Sequence, residues 1–319
     1  MQTLRPSDVL RCILLNVPKA PNLACPMQDL ASDKSVSNSM LWKDTLAQRR
    51  ERVTVVQWDG LHLAGLASAH MRSGNRAWEI DRLFLASDSD RSSSNLPELS
   101  PDVNTMALEL IERIVQEVGA HRAERVFLRL PPKSRIFSLA RRAGFFPYFE
   151  ESLLECRASA LPSSLQGSVE TPPADWQELL PEDNYSLFQL YCAATPQPVR
   201  AAVGLTFDQW RDAQESRGRR RNWVSKSNGR VIGWLGLSRC AQITVGEVLA
   251  HPGNPEFWQA IVEWALHQEG PQWWLVPDYQ DVVAELLLSR QFREVERYSA
   301  MIKTVAAPVA RSGLAAVEA

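Results

Sequence analysis

Two stretches of the chain carry one hydrophobic pattern. Over residues 124–156, an apolar run at 126–130 is stopped by Pro131-Pro132. Ser134 is placed to cap a helix, and Ile136, Leu139 and Ala143 recur at helical spacing. Gly144 stands where a helix C-terminal glycine belongs, and Phe145, Phe146 and Phe149 open a closing strand through Leu153 and Leu154. Residues 272–304 repeat the plan: a strand ending in Pro277, a helix carrying Val282, Val283, Leu286 and Leu287, then Phe292 and a closing strand. Phe145 and Phe292 are 147 positions apart, as are Ser152 and Ser299.

The rest of the chain falls around these units. A first helix is predicted over 4–16, with Val9, Leu10, Ile13 and Leu14 as its stripe. A polar loop over 18–39 and a second helix over 39–50 follow. Strands at 53–58 and 61–70 flank Asp59-Gly60, which is a hairpin signal. In a third strand, 77–85, Trp78, Ile80 and Leu83 alternate with Glu79, Asp81 and Arg82. Residues 86–103 are polar and aperiodic. A long helix then carries Met106, Leu110, Ile111, Ile114, Val115 and Val118 on one face.

The second half repeats the order. A helix is predicted over 182–194, and another contains Phe207 and Trp210. Strands 223–226 and 230–237 flank Asn228-Gly229, and 243–249 is the next strand. Asn254-Pro255-Glu256 opens a helix with Phe257, Ile261, Trp264 and Ala265 in its stripe. Trp42-Lys43-Asp44 corresponds to Trp210-Arg211-Asp212, and Gly65 to Gly233, at an offset of 168. The fall from 168 to 147 leaves 21 extra residues in the first half, in the polar stretch 86–103. The pattern is that of an internal duplication. It divides the chain into a first domain, 1–157, a small, polar, Pro-rich linker, 158–175, a second domain, 176–306, and a tail, 307–319.

Composition narrows the reading. Of 319 residues, 45% are apolar and 23% charged, ordinary for a chain with packed cores. The 35 basic and 37 acidic residues nearly cancel, which argues against a nucleic-acid partner held by bulk charge. The five cysteines are odd in number and form no C-x-x-C pair, which favours a reducing compartment. No run approaches the roughly 18 apolar residues of a membrane span, and the start lacks a charged leader before an apolar core. The expectation is a cytoplasmic protein without a membrane partner. Eight of the eleven tryptophans lie from Trp176 onward, so the second half should be densely packed or hold an apolar cleft.

Three short motifs add to the order of elements. Gly65 and Gly233 sit in the second strand of each hairpin, Arg141-Arg142-Ala143-Gly144-Phe145 ends a late helix, and Ala250-His251-Pro252-Gly253 follows a third strand. With the order helix, helix, three strands, helix, strand, helix, strand in each half, the chain resembles the GNAT acetyltransferase superfamily in tandem, over nearly its whole length. The resemblance implies an α/β (α+β) fold: two GNAT-like domains, each a mixed, mostly antiparallel sheet flanked by helices. It also implies an acyl-CoA donor, acetyl-CoA or another, and a small-molecule or peptide amine acceptor.

That chemistry needs a third strand splayed from its neighbour, so that backbone groups, here those of Leu83 and Leu85, pair with the pantetheine arm. It needs a glycine-rich loop at a helix N-terminus for the pyrophosphate. It needs a group to take the amine proton, and often a tyrosine on the last helix to protonate the thiolate. The loop position of the first half reads Arg91-Ser92-Ser93-Ser94-Asn95, without glycine but with donors. That of the second is shortened to Gly253-Asn254-Pro255, so any CoA-type ligand is expected in the first half. Ala140 and Leu287 stand where the tyrosine is expected. A degenerate GNAT-fold pair that binds without chemistry is therefore the alternative reading.

Glu79 and Asp81, two apart on one face of the third strand, are candidate general bases, and Glu247, 168 positions after Glu79, is the third. The same pattern fits a solvated outer face. His251 is a candidate proton carrier or a turn residue. The run 217–221, Arg-Gly-Arg-Arg-Arg, fits a phosphate site or a solvated turn. Trp264 and Trp273-Trp274 fit an acyl pocket or a core. The cysteines read as small buried hydrophobes.

Overall fold

The computed structural model describes residues 1–4, 8, 21–30, 51–60, 62–86, 101–156, 172–215, 220–240, 243–253, 257–267 and 272–305. The helices expected over 4–16 and 39–50, most of the linker and the tail lie outside these residues.

Among the described residues, twelve strands form one sheet. They are β1 (Gln2–Thr3), β2 (Arg52–Asp59), β3 (His62–Met71), β4 (Ala77–Leu85), β5 (Arg125–Leu130), β6 (Phe146–Cys156), β7 (Trp176–Glu178), β8 (Arg220–Ser227), β9 (Arg230–Cys240), β10 (Ile243–Ala250), β11 (Gln272–Pro277) and β12 (Arg293–Thr304). Their order is β1-β2-β3-β4-β5-β12-β6-β11-β10-β9-β8-β7. All neighbours are antiparallel except β4 with β5 and β10 with β11. The described helices are α1 (Pro101–Ala120), α2 (Arg135–Arg142), α3 (Asn184–Ala194), α4 (Gln197–Val203), α5 (Phe207–Ala213), α6 (Phe257–Leu266) and α7 (Asp281–Ser289). Strands β1 and β7 and helix α4 had no counterpart in the sequence reading, because each is too short to show a period.

The expected mixed, mostly antiparallel sheet flanked by helices is present. The halves, however, exchange their closing strands. Strand β6 pairs with β11 of the second half, β12 pairs with β5 of the first, and β6 and β12 pair with each other. The exchange is symmetric: Arg293 faces Glu155 and Ile302 faces Phe146, and adding 147 to Phe146 and Glu155 gives Arg293 and Ile302. The repeat seen in the sequence is thus a pseudo-twofold at the centre of the sheet.

Local chemistry sets these elements. The Ser134 hydroxyl accepts the Phe137 N–H at 3.3 Å and caps α2, and Gly144 ends it at φ +87°. Asn228 and Gly229, at φ +49° and +73°, turn β8 into β9. Trp78, Ile80, Leu83 and Leu85 pack with Leu110, Ile111 and Ile114 of α1 in the main first-half core. On the other face of the sheet, Ala77 and Phe127 pack with Ala202 of α4 and Ala213 of α5. Helices of the second half thus cover strands of the first, and β4 is buried on both faces, which corrects the alternation expected for it. Among the described residues, no helix is long and apolar enough to cross a membrane.

Candidate functional site

Each half opens one gap in the sheet. Strand β4 pairs with β5 only from Ala77 to Glu79, and β10 pairs with β11 only from Thr244 to Gly246. Beyond these points the parallel neighbours part. At the second gap a Cβ on Gly246 would lie 2.6 Å from the Trp274 ring, so only glycine lets the strands meet there before they separate.

The first gap is filled by the chain itself. Asn22 Nδ2 donates to the Asp81 carbonyl at 2.8 Å, and its Oδ1 accepts the Leu83 N–H at 2.9 Å. Leu23 N donates to the Leu83 carbonyl, and Cys25 N to the Arg129 carbonyl of β5. Residues 22–25 therefore bond to both lips of the gap. Both backbone groups of Leu83 are taken, and Leu85 is buried opposite Gly65 of β3. Residues Arg91 to Asn95 lie outside the described residues.

The first-half carboxylates do not face a cleft. Glu79 is 3% exposed and meets Arg72 at 3.2 Å. Arg72 lies over the Phe127 ring and donates to the Ala213 carbonyl. Glu215 of the second half reaches both Arg72, at 3.6 Å, and Arg129, at 2.9 Å, and Arg129 also pairs with Glu151. This buried network ties the halves together. Asp81 takes two 2.8 Å hydrogen bonds from Arg52, and His70 Nδ1 lies 3.5 Å away. Burial opposes the Asp81 charge, but Arg52 and His70 outweigh it and hold the carboxyl well below the usual range. A carboxylate held so low is a weak base.

Register corrects one equivalence. Ala69 faces Ile80, and its repeat Leu237 faces Gly246, so Val245 occupies the place of Glu79. A bulge between Ser68 and Ala69 makes Asp81 an extra residue. The carboxylate that matches Glu247 in role is Asp81. Arg52 and Arg220, 168 apart, both open the second strand of their half, and each reaches one of these carboxylates.

The second gap is open. A cavity of about 180 Å³ is lined by Glu247, Val248 and Leu249 of β10 and by Leu275 and Pro277 of β11. Tyr279 and Gln280 close one end, and Leu187 and Tyr191 of α3, Trp210 of α5 and Trp234 of β9 form the apolar wall. Arg220 Nη2 donates to Glu247 Oε2 at 2.8 Å while lying over the Trp234 ring. The Tyr191 hydroxyl is buried without a hydrogen-bond partner among the described residues. Burial pushes the Tyr191 and Tyr279 phenols well above their ordinary range, so both keep their protons at neutral pH.

The other candidates separate cleanly. Trp264 and Trp274 belong to the second-half core, and none of Trp264, Trp273 and Trp274 lines the cleft. Of 217–221, Arg220 enters the cleft, Arg221 is exposed, and 217–219 lie outside the described residues. His251 follows β10 and lines a second cavity of about 830 Å³. Among the described residues, no group of His, Cys, Asp and Glu side chains is set to hold a metal. Arg220 lay in the run 217–221 that the sequence offered as a phosphate site or a solvated turn, and its match to Arg52 is a finding of the structure. Tyr191 and Tyr279 were not, because in sequence they are ordinary core aromatics.

No family model and no curated protein matches the sequence. Solved structures do. The chain is similar to a GCN5-related N-acetyltransferase from Sphaerobacter thermophilus, at 14% identity and a TM-score of 0.52, covering 95% of this chain and 94% of that one. It is also similar to a structure described as a putative acetyltransferase from Pyrococcus horikoshii, at 11% identity and a TM-score of 0.50, covering 96% and 89%. With its two splayed strand pairs and its duplicated order of elements, the chain has the fold of the GCN5-related N-acetyltransferases.

Proposed function

We propose that the chain is an acyl-CoA-dependent N-acyltransferase that works in the β10–β11 cleft, with acetyl-CoA or another acyl-CoA as donor and a small-molecule or peptide amine as acceptor. The observation that carries this reading is the contrast between the gaps: residues 22–25 fill the first, and a cavity of about 180 Å³ occupies the second. The acyl-bearing end of the donor lies against β10 beyond Gly246. The amine attacks the thioester carbonyl directly, a C–N bond forms and the C–S bond breaks. Glu247 takes the amine proton, and the departing thiolate accepts a hydrogen bond from the Tyr191 or Tyr279 phenol and takes its proton from solvent. Glu79, Asp81, Leu83 and Leu85 belong to the framework in this reading, and Arg91 to Asn95 have no part in the transfer.

A second reading, a GNAT-fold binding protein without transfer, is favoured by the filled first gap and the short loop before α6. Thiol release from acetyl-CoA, measured over a panel of primary amines, separates the two. Amine-dependent release supports transfer. Binding of acetyl-CoA without release supports the second reading.

A further inference from the structure

We infer that the second half carries a separate binding site, on another side of α3 from the β10–β11 cleft, for a small molecule that joins an anionic group to an apolar body. The inference does not rest on acyl transfer. The cavity measures about 830 Å³, against about 180 Å³ for the cleft, and falls in the size range of small-molecule sites, about 300–1,000 Å³. It lies between α3 and the β8–β9 hairpin and includes no residue of β11. Helix α3 gives the cleft only Leu187 and Tyr191, one stripe four residues apart; its other sides, through positions 186, 188–190 and 192–193, face this cavity.

The chemistry of the lining selects the ligand. Its apolar part is formed by Phe188, Leu190 and Val231. Its charged and polar rim includes Arg230, His251 and Asn228, and among the described residues no carboxylate lines it. Arg230 is exposed at the first position of β9, where the Asn228-Gly229 turn holds it, and has no carboxylate partner among the described residues. His251 Nδ1 accepts the Gly253 N–H at 3.1 Å, so the neutral ring carries its proton on Nε2 and can donate from there. An arginine, an imidazole N–H and a side-chain amide above an apolar floor suit a carboxylate or a phosphate on a hydrophobic body. They repel a cation.

The test is calorimetric titration of the full chain with 2-naphthoate, 2-naphthyl phosphate and the matched cation 2-naphthylmethylamine. At least one anion should bind, and the amine about tenfold or more weakly. Arg230→Gln should weaken the anion about tenfold or more, while Arg221→Gln, an exposed arginine on β8, should leave it unchanged. Acetyl-CoA affinity should be the same in Arg230→Gln and wild type. The stronger anion identifies the headgroup. The inference is overturned if neither anion binds, if the amine binds as well, or if Arg230→Gln has no effect on the anion. Loss of acetyl-CoA binding in Arg230→Gln would also overturn it, by making the cavity part of the donor site.

Discussion

Arg220 and Glu247 meet at 2.8 Å across β9, repeating in the open cleft the contact that Arg52 and Asp81 make in the closed half. The arginines are 168 positions apart, but Arg52 gives Asp81 two 2.8 Å hydrogen bonds whereas Arg220 reaches Glu247 through Nη2, and their surroundings differ. The Asp81 carboxylate is buried against Arg52 and His70 and its carbonyl is bonded to Asn22, whereas Glu247 lines a cavity. The same arrangement is therefore buried framework in one half and borders a cavity in the other, where the proposed transfer uses it.

Replacing Glu247 by Gln should lower the rate of thiol release by about 10²- to 10⁴-fold, the usual contribution of a positioned proton acceptor. Acetyl-CoA affinity should stay unchanged. An unaltered rate would remove Glu247 from the mechanism.

Asp81→Asn should instead act on folding. It leaves Arg52 buried against a neutral partner, and breaking such a pair costs about 3–5 kcal/mol. Chemical denaturation reads the loss, and a change below about 1 kcal/mol would show that the Arg52 contact is not stabilising.

The same cluster gives two pH windows. The Asp81 carboxyl is depressed in the folded state, so its stabilisation is complete above its unfolded value, about 3.9, and is lost as pH falls toward the folded one. The His70 imidazole is raised: burial opposes its charge, but the Asp81 carboxylate prevails. Its stabilisation is complete below the unfolded value, about 6.5, and is lost as pH rises through the folded one. Denaturation midpoints of His70→Gln and wild type should therefore differ most near pH 5 and converge at alkaline pH. A difference that grew with pH would contradict this sign.

Asn22→Ala removes the side chain that satisfies the Asp81 carbonyl and the Leu83 N–H. Leaving such groups unpaired costs about 1–3 kcal/mol. Thermal unfolding should report a lower Tm with unchanged acetyl-CoA affinity. A gain of a second acetyl-CoA site in this variant would mean that residues 22–25 gate the first gap rather than build it.

Much of the fold was legible because the duplication is written in spacing. The offsets 168 and 147 located both hairpins and both closing units, and 147 reappears as the symmetric register of β6 against β12. The exchange of those strands was not legible, since each has the same pattern whichever neighbour it joins. The site was less visible still. Alternation placed Glu79 and Asp81 on an open face, but helices α4 and α5, far along the chain, cover that side of the sheet. Asp81 also owes its place to a bulge that leaves no mark in the sequence. Asn22 sits in a stretch that reads as loop, and only the tertiary structure shows it bonded to β4.

The central claim is that one cleft, in the second half, accepts the donor. Titration of acetyl-CoA into the intact chain, with and without Leu249→Trp, tests it most directly, because a tryptophan at this half-buried position would intrude into the cavity of about 180 Å³ and obstruct it. The account predicts one molecule bound per chain in the wild type and none in a folded Leu249→Trp variant. Two molecules per chain, no binding to wild type, or undiminished binding to Leu249→Trp would contradict it.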